Sequence, residues 1–223
     1  MSTTSLLILE LILCLTTLGF LYKYYKTNGL YIYIYIIISL ILSSLMSLKL
    51  TSLFNYDLNL GIIPFVTIFT ASNIIIQKNG PNAIKKLILT VSASFLISYA
   101  LLYLVQMMDS SNINLFTNAS YDNIFVDSLR MYFANFVTFL YSMLINSKLY
   151  YYLKKLKNNI LISNLFSTII IQFIASILFG LIAYIFIKEP IDIIKIIMIR
   201  YLLSLITGVL GTIPIYITKK VEE

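Results

Sequence analysis

Seven apolar runs divide this chain, at approximately 5–22, 30–48, 60–77, 87–108, 124–146, 160–187 and 193–217. A hydrocarbon layer about 30 Å thick needs roughly 20 helical residues to cross it. Inside lipid the backbone must satisfy its own hydrogen bonds, which helices do within one segment. The pattern therefore predicts an all-α integral membrane protein: a single transmembrane domain over residues 1–223, built as a bundle of about seven transmembrane helices. The third run is short and contains Pro64, so a kink or shielding by neighbours is expected there. The breaks hold turn chemistry: Lys26-Thr27-Asn28-Gly29, Lys78-Asn79-Gly80-Pro81 and Lys188-Glu189-Pro190. Of the 223 residues 60% are hydrophobic and 11% charged, where soluble domains carry about a quarter charged residues.

Charge gives the orientation. Lys23 and Lys26 follow the first run, Lys78, Lys85 and Lys86 the third, Lys148, Lys154, Lys155 and Lys157 the fifth, and Lys219 and Lys220 the seventh. The intervening connections hold Asp57, Asp109, Asp122, Asp127, Glu189 and Asp192. Under the positive-inside rule this alternation predicts a multi-pass protein of the cell (inner) membrane, N-terminus outside and C-terminus cytoplasmic. The first run lacks a basic start and contains Glu10, so it reads as an uncleaved helix and not a signal peptide. The longest connection, 109–123, is expected outside as a short loop; its Asn118-Ala119-Ser120 is formally a glycosylation acceptor.

Several classes of function are excluded. His and Trp are absent and Cys14 is the one cysteine, so no internal disulfide and no histidine- or cysteine-rich metal set can form. There is no Walker A, HExxH or GxSxG segment. Catalysis, a metal and a cofactor are not expected. The net charge of +7 is scattered in the connections, so it fits membrane topology and not nucleic-acid binding. The expected partners are the lipid bilayer and a small-molecule substrate, with a homo-oligomer or an ATPase partner left open.

The informative residues are polar ones at membrane depth. Asn73 and Gln77 stand one helical turn apart in the third run, as Thr168 and Gln172 do in the sixth. Arg130 lies near the start of the fifth run, three residues after Asp127, and either snorkels against it or serves a ligand. Asn135, Asn146, Ser167, Tyr201, Ser204 and Thr207 complete the set. Each alone reads as helix–helix glue, worth about 0.6–2 kcal/mol per hydrogen bond. Together, two facing amide clusters could bracket a flat polar ligand, because amides both donate and accept. Tyr31, Tyr33, Tyr35 and Tyr150–Tyr152 fit interfacial belts. Ser94/Ser98 and Ser176/Gly180 would let helices approach closely.

In order and spacing, these segments resemble the queuosine precursor transporter family, also called the vitamin uptake transporter (VUT) family. "KTNGLYIYIYIIISLILSSL" resembles its turn into the second helix, and "FTASNIIIQKNGPNAIKKLI" its apolar run with acids at i and i+4, then Gly and a basic segment. "LRMYFANFVTFLYSMLINSKLYYYLKK" resembles its Arg-bearing fifth helix, "SNLFSTIIIQFIASILFGLIAY" its Ser-Thr…Gln helix, and "IPIYITKK" its final ending. The family pattern has Asp, Glu and Asp where this chain has Asn73, Gln77 and Asn146, and commonly Arg, Asp and Lys at Ser163, Ala175 and Ser204. Arg130, Ser167, Thr168 and Gln172 match. The resemblance implies uptake of a deazaguanine precursor or related vitamin-like compound. The substrate-binding residues it implies are Asn73, Gln77, Arg130, Asn146, Ser167, Thr168 and Gln172. The competing readings are a diverged, non-transporting scaffold and the substrate-binding subunit of an ATPase-driven transporter.

Overall fold

The computed structural model describes residues 3–24, 29–53, 56–108, 115–157 and 159–222; inside helices the side chains of 24, 115–128, 157, 160–161 and 214–222 lie outside that description. Among the described residues there are seven helices: α1 (Thr3–Tyr24), α2 (Leu30–Met46), α3 (Ile62–Asn79), α4 (Ala83–Gln106), α5 (Leu115–Lys157), α6 (Ile160–Tyr184) and α7 (Pro190–Glu222). One antiparallel hairpin, β1 (Leu50–Leu53) with β2 (Tyr56–Asn59), joins α2 to α3 in the register Leu50 with Asn59 and Leu53 with Tyr56. Four helices are long and apolar enough to cross a membrane by length and composition: Thr3–Lys23, Ala83–Gln106, Ile162–Tyr184 and Pro190–Ile213; α2 is a shorter apolar helix.

Contacts between the chain's connections sort the bundle into two ends. At one, Lys78 at the end of α3 stands 5.4 Å over the ring of Tyr22 near the end of α1. There also the Lys154 ammonium of α5 donates to the Gln77 carbonyl at 3.4 Å. At the other, Lys188 before α7 pairs with Asp57 of the hairpin at 2.9 Å. Arg130 of α5 reaches the last carbonyls of α6 there too.

α3 is the axis of the bundle. Every residue from Ile62 to Ile76 is buried, so this short helix is shielded by protein as its sequence required. Pro64 causes no break, because it stands in the first turn, where its missing N–H has no carbonyl to serve. Gly61 precedes the helix, and a Cβ there would collide with the Ser43 carbonyl and the Ser47 hydroxyl. Only glycine lets the ends of α2 and α3 meet this closely. Around α3, Phe65, Phe69, Phe139 and Tyr132 form one apolar core, and Phe95 of α4 stacks on Phe136 at 5.4 Å. α1 and α4 lie at the periphery, with 11% of each span buried against 44% for α6 and 39% for α7.

The connection between α2 and α3 holds the hairpin, whose Leu53, Leu58 and Asn59 turn inward while Asp57 faces out. Two expectations are corrected. The 109–123 loop is helix from Leu115, because residues 115–157 contain neither Gly nor Pro to stop α5. At 43 residues and 1.5 Å each, α5 spans roughly 65 Å, twice a hydrocarbon layer. Tyr150 is not an interfacial belt residue: it is fully buried in the core beside α1 and α3, whereas Tyr151 and Tyr152 are exposed.

Candidate functional site

Four helices are laced together by one chain of side-chain hydrogen bonds. The Asn146 amide on α5 donates to Asn73 Oδ1 on α3 at 2.8 Å, and Asn73 Nδ2 donates to Asn164 Oδ1 on α6 at 2.7 Å. Asn164 Nδ2 donates to Thr212 Oγ1 on α7 at 2.9 Å, and that hydroxyl donates to the Gly208 carbonyl. Asn146 also approaches the Ser72 hydroxyl at 3.4 Å. All five side chains are buried. Each amide gives its N–H to the next oxygen, so the ladder runs in one sense and uses both functions of the two middle amides.

Glycine makes this meeting possible on the α7 side. A Cβ on Gly208 would run into the Thr168 methyl, and one on Gly211 would press on Thr70 Oγ1. α7 therefore lies close against both α6 and α3. The pair Ser176/Gly180 behaves as its spacing suggested, since Gly180 faces Ile197 of α7 with no room for a Cβ.

The ladder is the satisfied end of a longer polar column. On α5, Asn135, Thr138, Ser142 and Asn146 follow one another at 3, 4 and 4 residues, a single helical face about 16 Å long. Its far end is held too, Asn135 donating to the Ser47 hydroxyl at 3.2 Å. Between these ends Thr138 Oγ1, Ser142 Oγ and Asn146 Oδ1 are buried without a protein partner. On α6, after Asn164, so are Thr168 Oγ1, Gln172 Nε2 and Ser176 Oγ. Buried polar atoms are nearly always paired with protein or water. In membrane helices, residues of this kind face the bundle interior or a water-filled cavity. α5 and α6 thus present unspent donors and acceptors in the middle of an apolar bundle.

The seven residues singled out from sequence separate. Asn73 and Asn146 are joined in the ladder, and Ser167, Thr168 and Gln172 are buried on α6 beside it, Ser167 donating to the Asn164 carbonyl. Gln77 is half-buried at the basic end of α3, away from the Asn73 amide contacts. Arg130 stands at the opposite end. Its Nε donates to the Ile182 carbonyl at 3.0 Å and its Nη2 to the carbonyl of Ile185, the residue after α6, at 3.3 Å, so it caps α6 where the last carbonyls have no helical partner. The Asp127 side chain lies outside the described residues. Glu10 lines a separate cavity of about 440 Å³ between α1 and α2 with Cys14, Tyr35 and Pro64.

Sequence reading does not single out Asn59, Asn164, Thr212 or Arg200. Arg200 is 2% exposed on α7. Its guanidinium donates to Asn59 Oδ1 at 3.0 Å and lies 3.8 Å from the Phe179 ring centre and 5.5 Å from that of Phe65. A signal was present, because Arg200 is the one charge between Ile196 and Thr218.

The family model described as "Putative vitamin uptake transporter" matches residues 59–218. The chain belongs to this vitamin uptake transporter family. It is a multi-pass membrane protein of a transporter family, with a small molecule as substrate. The match begins at Asn59 and covers α3 to α7, so it contains the whole amide ladder, the orphaned groups of α5 and α6, and Arg200. The α1–α2 cavity lies mostly before it. No curated protein and no solved structure matched the chain.

Proposed function

We propose that the chain imports a small nucleobase-like molecule, such as a deazaguanine precursor of queuosine or a related vitamin-like ring, through the polar column between α3, α5 and α6. The observation that supports this reading is the row of buried, unpartnered donors and acceptors beside the ladder. A flat heterocycle carries donors and acceptors on its edge, and Asn146 Oδ1, Thr168 Oγ1 and Gln172 Nε2 offer one acceptor, one hydroxyl and one donor. Asn73 and Asn164, each with both amide functions engaged, hold the neighbouring groups at fixed orientation; Ser167 fixes the turn of α6 that bears Thr168. In the cell, residues 85, 154 and 219 would be cytoplasmic and the hairpin end outside, by the positive-inside rule. Cargo would then enter past Arg130 and leave past Gln77.

The ladder alone would also suit a bundle that only holds itself together. Uptake separates the two. In a cell lacking its own queuosine-precursor importer, expression of this chain should restore accumulation of labelled deazaguanine. No accumulation of any purine-like ring, with the protein present in the membrane, would refute the transport reading.

A further inference from the structure

We infer that the cavity between α1 and α2, with Glu10 in its wall, binds a small apolar molecule that carries a protonated amine.

The first ground is an unspent carboxyl. Glu10 is the eighth residue of α1, which at 1.5 Å per residue puts it about 10 Å along a helix long enough to cross a membrane. Among the described residues it enters no hydrogen bond and no ion pair, and its Oε1 is buried without a partner. An ionisable group inside such a span needs a partner or a function. Helix packing supplies neither, because only 11% of the α1 span is buried against the protein. Two hydroxyls in the same cavity wall are already committed. Tyr35 donates to Thr67 Oγ1 at 2.7 Å, and Thr17 to the Leu13 carbonyl at 2.6 Å. Neither has a second proton to give.

The second ground is space at that carboxyl. Glu10 itself lines the cavity, whose volume of about 440 Å³ falls within the ordinary range of small-molecule pockets. Ile34, Ile38 and Leu42 form an apolar wall on the α2 side. One unpaired carboxyl in a mostly apolar pocket calls for a ligand with one cationic group and an apolar body. An ammonium brings donor protons and the opposite charge together, the stronger kind of hydrogen bond.

The third ground is a fixed aromatic wall. Tyr31 and Tyr35 line the same cavity, one helical turn apart on α2. Tyr35 is pinned through Thr67, whose hydroxyl donates in turn to the Pro64 carbonyl at 2.8 Å on the buried helix α3. Aromatic rings held near a carboxylate suit a cation, which is drawn to ring faces as well as to charge. A neutral molecule or an anion gains neither attraction. The cavity shares no lining residue with the amide ladder and lies mostly outside the family match.

The test uses the full chain purified in detergent, at neutral pH and constant ionic strength, with four probes. They are 4-phenylbutylamine, its neutral isostere 4-phenylbutanol, tetramethylammonium, and phosphatidylethanolamine added to the micelles. 4-Phenylbutylamine should raise the melting temperature by several degrees, saturably, and the alcohol and tetramethylammonium should not. Glu10→Gln should remove the shift. Thr17→Phe, at an exposed position in the cavity wall, keeps the carboxyl but narrows the space; it should weaken the amine at least several-fold, which decides the matter if Glu10→Gln does not fold. No response to the amine would overturn the site, as would an equal response to the alcohol, which marks a groove for any apolar chain. A shift with phosphatidylethanolamine alone would give the carboxyl to a lipid headgroup and overturn it too. So would an undiminished amine shift in either variant. None of the probes carries a purine ring, so the outcome is independent of the uptake reading.

Discussion

Asn73 of α3 and Asn164 of α6, 91 residues apart in sequence, share a 2.7 Å hydrogen bond at the centre of the bundle. Each then passes on its other function, Asn73 accepting from Asn146 and Asn164 donating to Thr212. Four helices are joined through two amides, and the energetic consequence is asymmetric. Removing one member strands its neighbours in a dry interior, which costs more than the lost bond itself.

Asn164→Leu should therefore destabilise the protein by about 1–3 kcal/mol, the cost of leaving Asn73 Nδ2 unpaired and Thr212 Oγ1 without its donor. Gln77→Ala, half-buried at the end of the same helix as Asn73, should change stability by under about 0.5 kcal/mol. Denaturant unfolding in detergent would compare them; equal effects would mean that the ladder contributes no more than a surface amide.

Restoring acids at the two positions should give opposite results. Asn73→Asp replaces a donor with an oxygen that faces Asn164 Oδ1, so the new carboxyl must keep its proton to donate. Its stability should rise as pH falls, since the folded state then binds more protons than the unfolded one. Gln77→Glu lies near Lys154 at the basic end and should be tolerated at neutral pH. Melting curves at pH 5 and pH 8 read both effects, and a pH-independent Asn73→Asp would argue against the ladder.

Arg130 holds the end of α6, so Arg130→Gln should cost about 1–3 kcal/mol of stability by releasing two carbonyls from charge-assisted bonds. Cargo binding per folded molecule should stay within a few-fold. Arg130→Lys should recover part of the stability. Abolished binding by a folded, membrane-inserted Arg130→Gln would return the residue to the substrate site.

Gly208→Ala should destabilise by about 1–3 kcal/mol, because its Cβ meets the Thr168 methyl. Thr168→Ser removes that methyl and should rescue it, giving a double mutant more stable than the sum of the singles. Gly61→Ala should resist rescue by Ser47→Ala, since the Ser43 backbone carbonyl also blocks the new methyl. Additive behaviour at Gly208 and Thr168 would mean that α6 and α7 do not touch there.

The helices were legible because hydrophobic length and turn chemistry are local properties, and every expected run became a helix within a few residues of its bounds or well beyond them. The start of α5 was not, because Asp122 and the asparagines around it read as loop although nothing between 115 and 157 breaks a helix. In the column, Asn73, Asn146, Thr168 and Gln172 announced themselves by polarity in apolar runs. Asn164 did not, standing near a helix start where asparagine is commonplace, and only the fold shows that it meets Asn73. Arg200 is the one charge between Ile196 and Thr218, but its own run does not say what it meets. Its partner Asn59 lies 141 residues earlier in a hairpin, a relation that no local pattern contains.

The most direct measurement is ligand-induced thermal stabilisation of the purified protein against purines, deazapurines and vitamins, in wild type and in Gln172→Leu. Removing the amide deletes an unpaired buried group, so the variant should fold at least as stably as wild type. At least one flat heterocycle should raise the wild-type melting temperature, with most of that shift lost in Gln172→Leu. A panel with no stabilising ring, or a shift that persists undiminished in the variant, would contradict the claim that the polar column is the cargo site.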